Sequence, residues 1–340
     1  MITISVVMPT YNTPVDILRE AVESILWQTF RDFEFIIIDD GSTNDSVDYL
    51  NRLEDKRIRL IRNPENIGIT KSLNIGFRAA QGKYIARMDS DDISLPARLE
   101  KQYAFMEIHP DAIACGTGYE LIGAVNGKRP GESIKTEDYR VKMLFANPGP
   151  IHPTAFFVRE KLVKHQVWYD ESLPFAQDYG LWAEICRYGK VCVLPDILLQ
   201  HRIHSNQVSK QHRERQIQCD KAVQKKLLEE LLGPISASEL DAHYFHSTGY
   251  YHEALISPEI ATWYERLIYA NKSACFYDER ALKRRIILIK KRLIHQSFTT
   301  SMSKTAKIML FFHYLPFEPA IEATIEICWM KINSLVKKPN

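Results

Sequence analysis

Residues 83–92 read KYIARMDSDD, an apolar-rich run that ends in three carboxylates within four residues. This pattern is typical of a buried strand that carries acidic groups to one edge of a sheet. Carboxylates this close repel one another unless a cation lies among them, and hard divalent ions prefer oxygen ligands. The segment therefore predicts a metal site of the kind that bridges a diphosphate. The alternative is an N-cap cluster for the helix expected over 96–108, a role that one aspartate would fill.

The first hundred residues alternate between strand-like and helix-like segments. The helix signals include the hydroxyl and proline of Thr13-Pro14, which are typical of a helix start. Such alternation predicts βαβ units and therefore an α/β fold, with a mostly parallel sheet flanked by helices. The predicted strands are 2–8, 34–38, 58–62 and 83–88. Three helices lie between them: the first begins near residue 15, the second ends near residue 53, and the third spans 70–80.

Polar clusters follow all four of these strands. The carboxyl ends of parallel strands meet at one edge of a sheet, which is where such sheets bind ligands. The sequence therefore predicts a single site at this edge, formed by Pro9–Asn12, Asp39–Asp40, Asn63–Gly68 and Asp89–Asp92.

The chain beyond residue 110 is less regular. A helix is expected from about Asp178 to Tyr188, with Gly189 as its C-terminal cap. After His212 the sequence becomes helical and charged, and Gly233-Pro234 marks a break. We therefore expect a catalytic domain over 1–210 and a basic helical region over 211–340. Further strands are expected at 112–115, 155–158 and 191–194.

Size and composition indicate a globular protein. The 340 residues suffice for one large core or two modest ones, with 45% apolar and 25% charged residues. The first residues lack the pattern of a signal peptide, and no apolar run approaches the roughly twenty residues of a spanning helix. The six cysteines show no repeated pair spacing, which disfavours a zinc module or a disulfide framework. We therefore expect reduced thiols and a cytoplasmic location.

The charge is distributed unevenly. Residues 280–340 contain twelve Lys or Arg and three Glu, a net charge of +9, which leaves −7 for the rest of a chain whose total is +2. Residues 281–294 mix basic and apolar side chains at near-helical spacing, and Ile308–Phe312 and Trp329 add apolar bulk. This pattern favours contact with an anionic membrane face. The alternative is a helical appendage that packs on the catalytic domain or on a second copy of the chain. No nucleic-acid-reading motif accompanies the basic run, so nucleic acid is disfavoured.

A series of short motifs covers residues 2–210. They are SVVMPTYN (5–12), SILWQTF (24–30), IIDDGST (37–43), NIG (66–68), LNIG (73–76), YIARMDSDD (84–92), HPT (152–154), QDYGLW (177–182) and HRIHSNQ (201–207). In this order they resemble those of the family 2 glycosyltransferases. The resemblance implies the Rossmann-like GT-A fold and an inverting transfer from a nucleotide-diphosphate sugar.

The resemblance also implies roles in binding the nucleotide-sugar donor. Pro9, Tyr11 and Asn12 would form the base pocket, with Tyr11 stacked on the base. Asp40 matches the acidic residue that hydrogen-bonds the base, usually uracil, whereas Asp39 is expected to cap the turn that follows. Further donor contacts are expected from Asn66, Gly68, Lys71, Asp89 and Ser90, with Lys71 near the phosphates and Asp89 near the ribose or a metal-bound water.

The metal ligands are expected in two of the motifs. Asp91 matches the direct ligand of Mn²⁺ or Mg²⁺ in the family's Asp-x-Asp (DXD) motif. His204 lies in an Arg-x-His segment that folds over the diphosphate in relatives, and is expected to be a second ligand. Asp92 is expected to cap the next helix.

Asp178 matches the family's general base. An inverting transfer is one in-line displacement at the anomeric carbon, and the acceptor hydroxyl needs a carboxylate to take its proton. Many relatives have Glu-Asp here, whereas this chain has Gln177-Asp178. The loss of a neighbouring negative charge should make Asp178 easier to ionise than in a Glu-Asp pair. The alternative is that Asp178 only caps its helix.

These motifs predict an inverting hexosyltransferase that uses a nucleotide sugar, with UDP-sugar as the expected donor. The expected acceptor is a surface glycan or glycolipid in capsule, O-antigen or lipooligosaccharide assembly, on the inner face of the cytoplasmic membrane. A homo-oligomer is a further expectation. One alternative is a catalytically degenerate glycan-binding or scaffold protein with the same fold. The other is a nucleotidyltransferase, but the segment after the first strand lacks the Gly-rich basic loop expected there.

Overall fold

The computed structural model describes residues 2–204, 212–248 and 258–299. Its first part is the predicted alternation of strands and helices, and the first four strands are parallel in the order β3-β2-β1-β4. The elements are β1 (Ile4–Thr10), α1 (Val15–Leu26), β2 (Phe33–Asp39), α2 (Ser46–Asn51), β3 (Ile58–Arg62), α3 (Ile69–Ala79) and β4 (Tyr84–Arg87).

The predicted α/β class is confirmed, but the sheet beyond β4 is mixed rather than mostly parallel. The next strand in the sheet is antiparallel to β4, and the full order is β3-β2-β1-β4-β8-β6-β9-β5, with β7 on the edge of β6. The further elements are β5 (Ile93–Ser94), α4 (Arg98–Ile108), β6 (Ala112–Gly123), β7 (Gly127–Arg129), α5 (Thr136–Met143), a 3₁₀ turn (His152–Thr154), β8 (Phe156–Val158), α6 (Arg159–His165), α7 (Gln177–Ile185) and β9 (Lys190–Ile203).

Helix α7 is shorter than its sequence predicts. It ends at Ile185 with Cys186 as the C-cap, so the expectation that Gly189 caps it is wrong. Gly189 instead allows a close approach to β6, because a Cβ there would lie 2.9 Å from Cβ of Ile113. The backbone N–H of Lys190 then donates to the carbonyl of Asp111 and starts β9. The close packing against β6, and not helix capping, therefore explains why glycine occupies this position.

Helices cover both faces of the sheet, as the alternation of side chains along the strands requires. In β1, Val6 and Met8 belong to one apolar cluster with residues of α1 and α4, whereas Val7 belongs to a second cluster with residues of α3 and of the helices that follow β9. Those last helices are α8 (Arg213–Leu232), α9 (Ala237–Thr248), α10 (Pro258–Ala274) and α11 (Glu279–Thr299).

The described part of the C-terminal region packs on the part over 2–204. Leu227 of α8 and Ile286 of α11 belong to the same apolar cluster as residues of β1 and β2. Nε2 of Gln224 donates to the carbonyl of Phe145 at 3.0 Å, and Arg284 pairs with Asp138 at 2.8 Å. The predicted domain boundary at 210/211 lies outside the described residues, as do Ile308–Phe312 and Trp329. Within the described ranges, none of the helices combines the length and apolarity needed to cross a membrane.

Candidate active site

The loop after β1 is connected to the loops after β2 and β4. Oγ1 of Thr13 and Oγ of Ser90 lie 2.8 Å apart and share a hydrogen bond. The backbone N–H of Asn12 donates to Oγ of Ser42 at 2.9 Å, and Oδ1 of Asn12 accepts from the N–H of Thr43 at 2.8 Å. Asn12 has a φ of 50°, which asparagine tolerates better than most residues. Three strand ends therefore meet at one edge.

Two neighbouring aspartates at the end of β2 fix the surrounding backbone. Asp39 is fully buried, pairs with Arg62 at 2.8 Å and accepts from the N–H of Ser42 at 3.0 Å, which confirms that it caps this turn. Oδ1 of Asp40 accepts from Nδ2 of Asn63 at 2.8 Å and from the N–H of Ile67 at 3.0 Å.

The other oxygen of the Asp40 carboxylate, Oδ2, accepts from the N–H of Gly68 at 2.9 Å. Gly68 has a φ of 92° and ψ of 151°, a conformation that is essentially restricted to glycine, and it immediately precedes α3. A carboxylate oxygen has two lone pairs. Among the described residues, Oδ2 of Asp40 has only this one donor, so one acceptor position is open.

The acidic loop after β4 is held by the end of β9. The carboxylate of Asp92 is fully buried, and it contacts Nδ1 of His201 at 3.0 Å and the N–H of Arg202 at 2.9 Å. Nε of Arg202 donates to the carbonyl of Asp91 at 2.9 Å. Helix α4 starts later, with Ala97 as its N-cap and no side-chain cap. The expectation that Asp92 caps the next helix is therefore wrong, and so is the N-cap interpretation of the acidic run.

The remaining groups fit a divalent metal. Oxygens of Asp89, Asp91 and Asp92 lie within 4.8 Å of one another. Nε2 of His204 lies 2.9 Å from Oδ2 of Asp91. Two ligands at right angles around Mg²⁺, each about 2.1 Å from it, are about 3 Å apart. His204 and Asp91 form a hydrogen bond at this distance, which also matches the spacing of neighbouring metal ligands. Asp89 lies beside them, whereas Asp92 is occupied by β9.

Arg87, a buried residue of β4, balances part of the negative charge of the acidic loop. Its side chain is almost completely buried and pairs with Oδ1 of Asp89. Burial raises the pKa of Asp89, Arg87 opposes this rise, and the charge of Asp91 adds to it. A cation at this place would relieve the repulsion between the two carboxylates.

Asp178 lies in the first turn of α7, two residues after the N-cap Ala176, so it is not the cap itself. Nδ2 of Asn147 donates to Oδ2 of Asp178 at 2.9 Å and orients the carboxylate. Burial raises the pKa of Asp178, while hydrogen bonds from Tyr179 and Asn147 oppose the rise. A carboxylate with a raised pKa is a stronger proton acceptor, as a general base requires.

The other predicted residues differ in exposure. The ring of Tyr11 is 48% exposed at the loop after β1, whereas Pro9 is buried inside that strand. Lys71 is exposed in the first turn of α3, and Oδ1 of Asn66 accepts from the N–H of Gly68 at 3.1 Å. Asn66 and Asn12 thus have roles in shaping the loops, in addition to any contact with a ligand.

Sequence reasoning missed Asn147, and it placed Asn63, His152 and His201 in strand-end clusters or motifs without assigning their contacts. Asn147, Asn63 and His201 orient Asp178, Asp40 and Asp92 from distant positions in the chain. His152 lies inside the protein with Nε2 2.7 Å from the hydroxyl of Tyr169, and burial lowers its pKa well below the usual value. Neither local spacing nor composition signals these contacts.

The sequence matches a known family. A model of the family described as Glycosyl transferase family 2 matches residues 5–166. An uncharacterized glycosyltransferase of Haemophilus influenzae is 33% identical over 235 residues, which cover 65% of this chain and 72% of that protein. An uncharacterized glycosyltransferase of Methanocaldococcus jannaschii is 38% identical over 208 residues, which cover 59% of this chain and 70% of that protein.

Solved structures share the fold at low identity. Staphylococcus aureus TarS 1-349 in complex with UDP-GlcNAc has a TM-score of 0.58 at 17% identity, covering 92% of this chain and 89% of that one. The mannosyltransferase PcManGT of Pyrobaculum calidifontis, in complex with GDP-Man and Mn²⁺, has a TM-score of 0.53 at 18% identity, covering 92% and 84%. At these identities the likeness establishes the fold alone.

Proposed function

The chain belongs to glycosyltransferase family 2 and has the GT-A fold, and we propose that it transfers a hexosyl group from a UDP-sugar with inversion. The proposed acceptor is a hydroxyl of a surface glycan or glycolipid in capsule, O-antigen or lipooligosaccharide assembly. The observation that carries this proposal is the 2.9 Å approach of His204 to Asp91, beside Asp89, at the edge that also carries Asp40.

Asp40 supports uracil as the base. Among the described residues, its Oδ1 accepts from two donors and its Oδ2 from one, which leaves one acceptor position open on Oδ2. Uracil offers a single imino N–H, whereas guanine offers adjacent imino and amino groups that suit two carboxylate oxygens. The half-exposed ring of Tyr11 is available to stack on the base. TarS, in complex with UDP-GlcNAc, is consistent with this choice, and PcManGT, in complex with GDP-Man, defines the competing one.

Asp91 and His204 would hold Mn²⁺ or Mg²⁺, with Asp89 contacting the ribose or a metal-bound water. Bound there, the cation would neutralise negative charge on the leaving diphosphate. PcManGT, which has the same fold, was solved with Mn²⁺. Arg87 keeps Asp89 paired beneath the site, and the contacts of β9 with the acidic loop keep Asp91 oriented.

Asp178 would act as the general base. It takes the proton of the acceptor hydroxyl while that oxygen attacks the anomeric carbon from the face opposite the diphosphate. The new glycosidic bond forms as the bond from the anomeric carbon to the β-phosphate oxygen breaks, and the nucleoside diphosphate leaves with the electron pair. Asn147 holds the carboxylate in position for this transfer.

The test uses methanol as a simple acceptor, because methanol needs no glycan-binding site. Purified protein with Mn²⁺ is given UDP-glucose, UDP-galactose, UDP-GlcNAc and GDP-mannose, and the release of nucleotide is measured. We expect release from one UDP-sugar, and a methyl glycoside whose anomeric configuration is opposite to that of the donor. A methyl glycoside with retained configuration would contradict the mechanism. No release from any donor by folded protein would favour a catalytically degenerate glycan-binding protein.

A contact of 280–340 with an anionic membrane is part of the proposal and has partial support in the described residues. The inner face of α11 packs on the protein through residues such as Ile286 and Ile289. On its outer side Arg280 and Lys291 are exposed, close in helical position to Leu288, which is 59% exposed. Cations beside an apolar side chain suit the headgroup region of an anionic bilayer, here the inner face of the cytoplasmic membrane.

Vesicle co-sedimentation tests this contact. We expect binding to phosphatidylcholine vesicles that contain phosphatidylglycerol, and weaker binding for the double variant Arg280→Glu/Lys291→Glu, since each basic residue contributes about 1 kcal/mol. The matched control is Arg52→Glu/Lys56→Glu, a pair of exposed residues far along the chain. Equal binding of both double variants would contradict the contact. A concentration-dependent dimer that α11 substitutions disrupt would favour self-association instead.

A further inference from the structure

The segment Asn147-Pro148-Gly149-Pro150 lies between α5 and the 3₁₀ turn at 152–154. A proline fixes its own φ and restricts the residue before it, so this segment loses little conformational entropy when it is ordered. The backbone N–H of Gly149 donates to Oδ1 of Asn147 at 2.9 Å. Because a backbone N–H can only donate, the amide oxygen of Asn147 must face Gly149, and its nitrogen therefore faces Asp178.

The base and a tryptophan share one face of α7. Trp182 lies four residues after Asp178, which places the two side chains one turn apart on the same face. Asp178 meets the segment 147–150 at Asn147, which donates to it at 2.9 Å. The indole ring of Trp182 meets it at Gly149, where an added Cβ would lie 2.2 Å from Cδ1 of the ring. The spacing of the motif QDYGLW therefore matches a contact with this segment at two points.

Packing holds this tryptophan in place. Its side chain is fully buried, and its ring stacks on that of Phe157 with the centroids 5.4 Å apart. Within the described residues, Nε1 of Trp182 has no hydrogen-bond partner. Pro150, the last residue of the segment, lies against Gly116 of β6, where a Cβ would lie 2.1 Å from Cβ of the proline. Contacts with α7 and β6 therefore fix the segment, and a methyl group at Gly149 has no room unless Trp182 or the segment moves.

The amide of Asn147 stabilises the charged form of Asp178. Burial is the largest cause of the raised pKa of Asp178, and hydrogen bonds from Tyr179 and Asn147 oppose the rise, each more strongly than the charge of Arg87. Other titratable groups that interact electrostatically with Asp178 come from α5, from the chain between α6 and α7, and from α8: Tyr139, Tyr169 and Asp220. Loss of the Asn147 amide should therefore favour the protonated carboxyl.

We propose that Asn147, Gly149 and Trp182 form a positioning element for the general base Asp178. The contact of Trp182 with Gly149 holds the segment 147–150, the N–H of Gly149 orients the amide of Asn147, and this amide holds the carboxylate. Asn147 is exposed and Asp178 is half-buried, so the contact lies where an acceptor hydroxyl can reach the carboxylate. The three residues act on the reaction through Asp178. This inference rests on the proposed function, because it concerns the base of that reaction.

The first test is a titration that needs no substrate. The aspartate carboxyl groups are labelled with carbon-13, and the resonance of Asp178 is identified by its loss in Asp178→Asn, with Asp170→Asn, at an exposed turn, as the matched control. We expect this resonance to titrate at a higher pH in Asn147→Ala than in wild type, because the charged carboxylate loses a donor. In Asn147→Asp the titration should move to a still higher pH, because a second carboxylate then lies beside Asp178.

Asn147→Asp also distinguishes positioning from a merely structural role. It keeps an oxygen that can accept from Gly149, so a purely structural Asn147 would leave the titration of Asp178 unchanged in this variant. Unchanged titration in both Asn147 variants would overturn the proposal. Asn271→Ala is the control for lost stability, since the amide of Asn271 also makes two backbone contacts, with Tyr277 at 2.8 and 2.9 Å. It should lower stability without moving the titration of Asp178.

The second test measures transfer to methanol from the UDP-sugar. Asn147→Ala and Gly149→Ala should each reduce nucleotide release about 10-fold, roughly the loss of one hydrogen bond. The double variant Gly149→Ala/Trp182→Phe should recover part of this loss, because the smaller ring leaves room for the methyl group. Wild-type release by Gly149→Ala, or a loss that Trp182→Phe does not relieve, would overturn the role of Trp182. Absence of release by wild type would mark failure of the proposed function, and the titration would still decide this inference.

Discussion

The proposed donor edge, where β1, β2 and β4 end, and the proposed acceptor side, around Asp178, are built in different ways. At the donor edge, contiguous motifs at strand ends bind one another through short loops, as in the bonds from Asn12 to Ser42 and from Asp40 to Gly68. On the acceptor side, Asn147 joins the motif residue Asp178, and Gln224 joins Phe145, from positions outside any of the motifs. Local motifs therefore bring the strand ends of the donor edge together, whereas the partners of Asp178 come from positions without a recognisable pattern.

The largest expected effect concerns Asp178, where the two regions meet. Asp178→Asn should reduce turnover by about 10²–10⁴-fold, since a positioned base contributes that much, and should leave nucleotide binding intact. The measurement is the rate of nucleotide release, with calorimetric titration of UDP. Asp170→Asn is the matched control. Weakened UDP binding with turnover retained would place Asp178 at the donor edge and contradict its assignment.

The second prediction concerns acid stability of the interface between the C-terminal helices and the catalytic part. Nδ1 of His243 accepts from Nε1 of Trp263 at 3.1 Å, so Nε2 must donate to the carbonyl of Leu144 at 2.7 Å, and the buried ring is neutral. Burial lowers its pKa to about 4, below the unfolded value of 6.5. As the pH falls below 6.5, the unfolded chain therefore binds a proton that the folded protein does not bind. The free energy of unfolding decreases by about 3 kcal/mol as the pH falls from 6.5 towards 4.

Urea unfolding at pH 7.5, 6 and 5 measures this loss. In His243→Gln the dependence of the unfolding free energy on pH should be weaker than in wild type, because the group that binds the extra proton is gone. His201→Gln, at the donor edge, is compared with His243→Gln, since the ring of His201 pairs with a carboxylate, that of Asp92. An unchanged pH dependence in His243→Gln would show that acid acts elsewhere in the molecule.

The smallest expected effect comes from two glycines with similar backbones in the two regions. Gly68 has φ 92° and ψ 151°, Gly233 has φ 72° and ψ −167°, and an added Cβ would meet nothing within 4 Å at either position. Substitution by alanine should therefore lower the unfolding free energy by about 1–3 kcal/mol through backbone strain alone. Only Gly68→Ala should also weaken UDP binding, because Gly68 donates to Asp40. Equal UDP affinity in both variants would show that the loop at Gly68 does not contribute to nucleotide binding.

The predictability of the fold follows the same division. The four parallel strands were predictable because buried strands and amphipathic helices alternate, and β3 matches its predicted bounds. The later strands are less clear, since β8 has only three residues and is antiparallel to β4. The end of α7 was mispredicted because Gly189 serves a contact with Ile113, which no local pattern reveals.

The candidate site divides in the same way. Asp91 and His204 were predictable as partners only through the family resemblance, because they are 113 residues apart in the sequence. The role of Asp92 was mispredicted since its partners on β9 are equally remote. Tertiary proximity, rather than residue type, decides these roles.

The most direct test of the central claim, a metal-dependent nucleotide site at Asp91, is a thermal-shift panel. Wild type and Asp91→Ala are heated with UDP, GDP, CDP or dTDP, each with and without Mn²⁺. A ligand at 100 times its Kd stabilises the fold by about 2.7 kcal/mol, which is readily detected. We predict a Mn²⁺-dependent rise with UDP that Asp91→Ala abolishes. A rise with UDP that is independent of Mn²⁺ and unchanged in Asp91→Ala, or no rise with any nucleotide, would contradict the account.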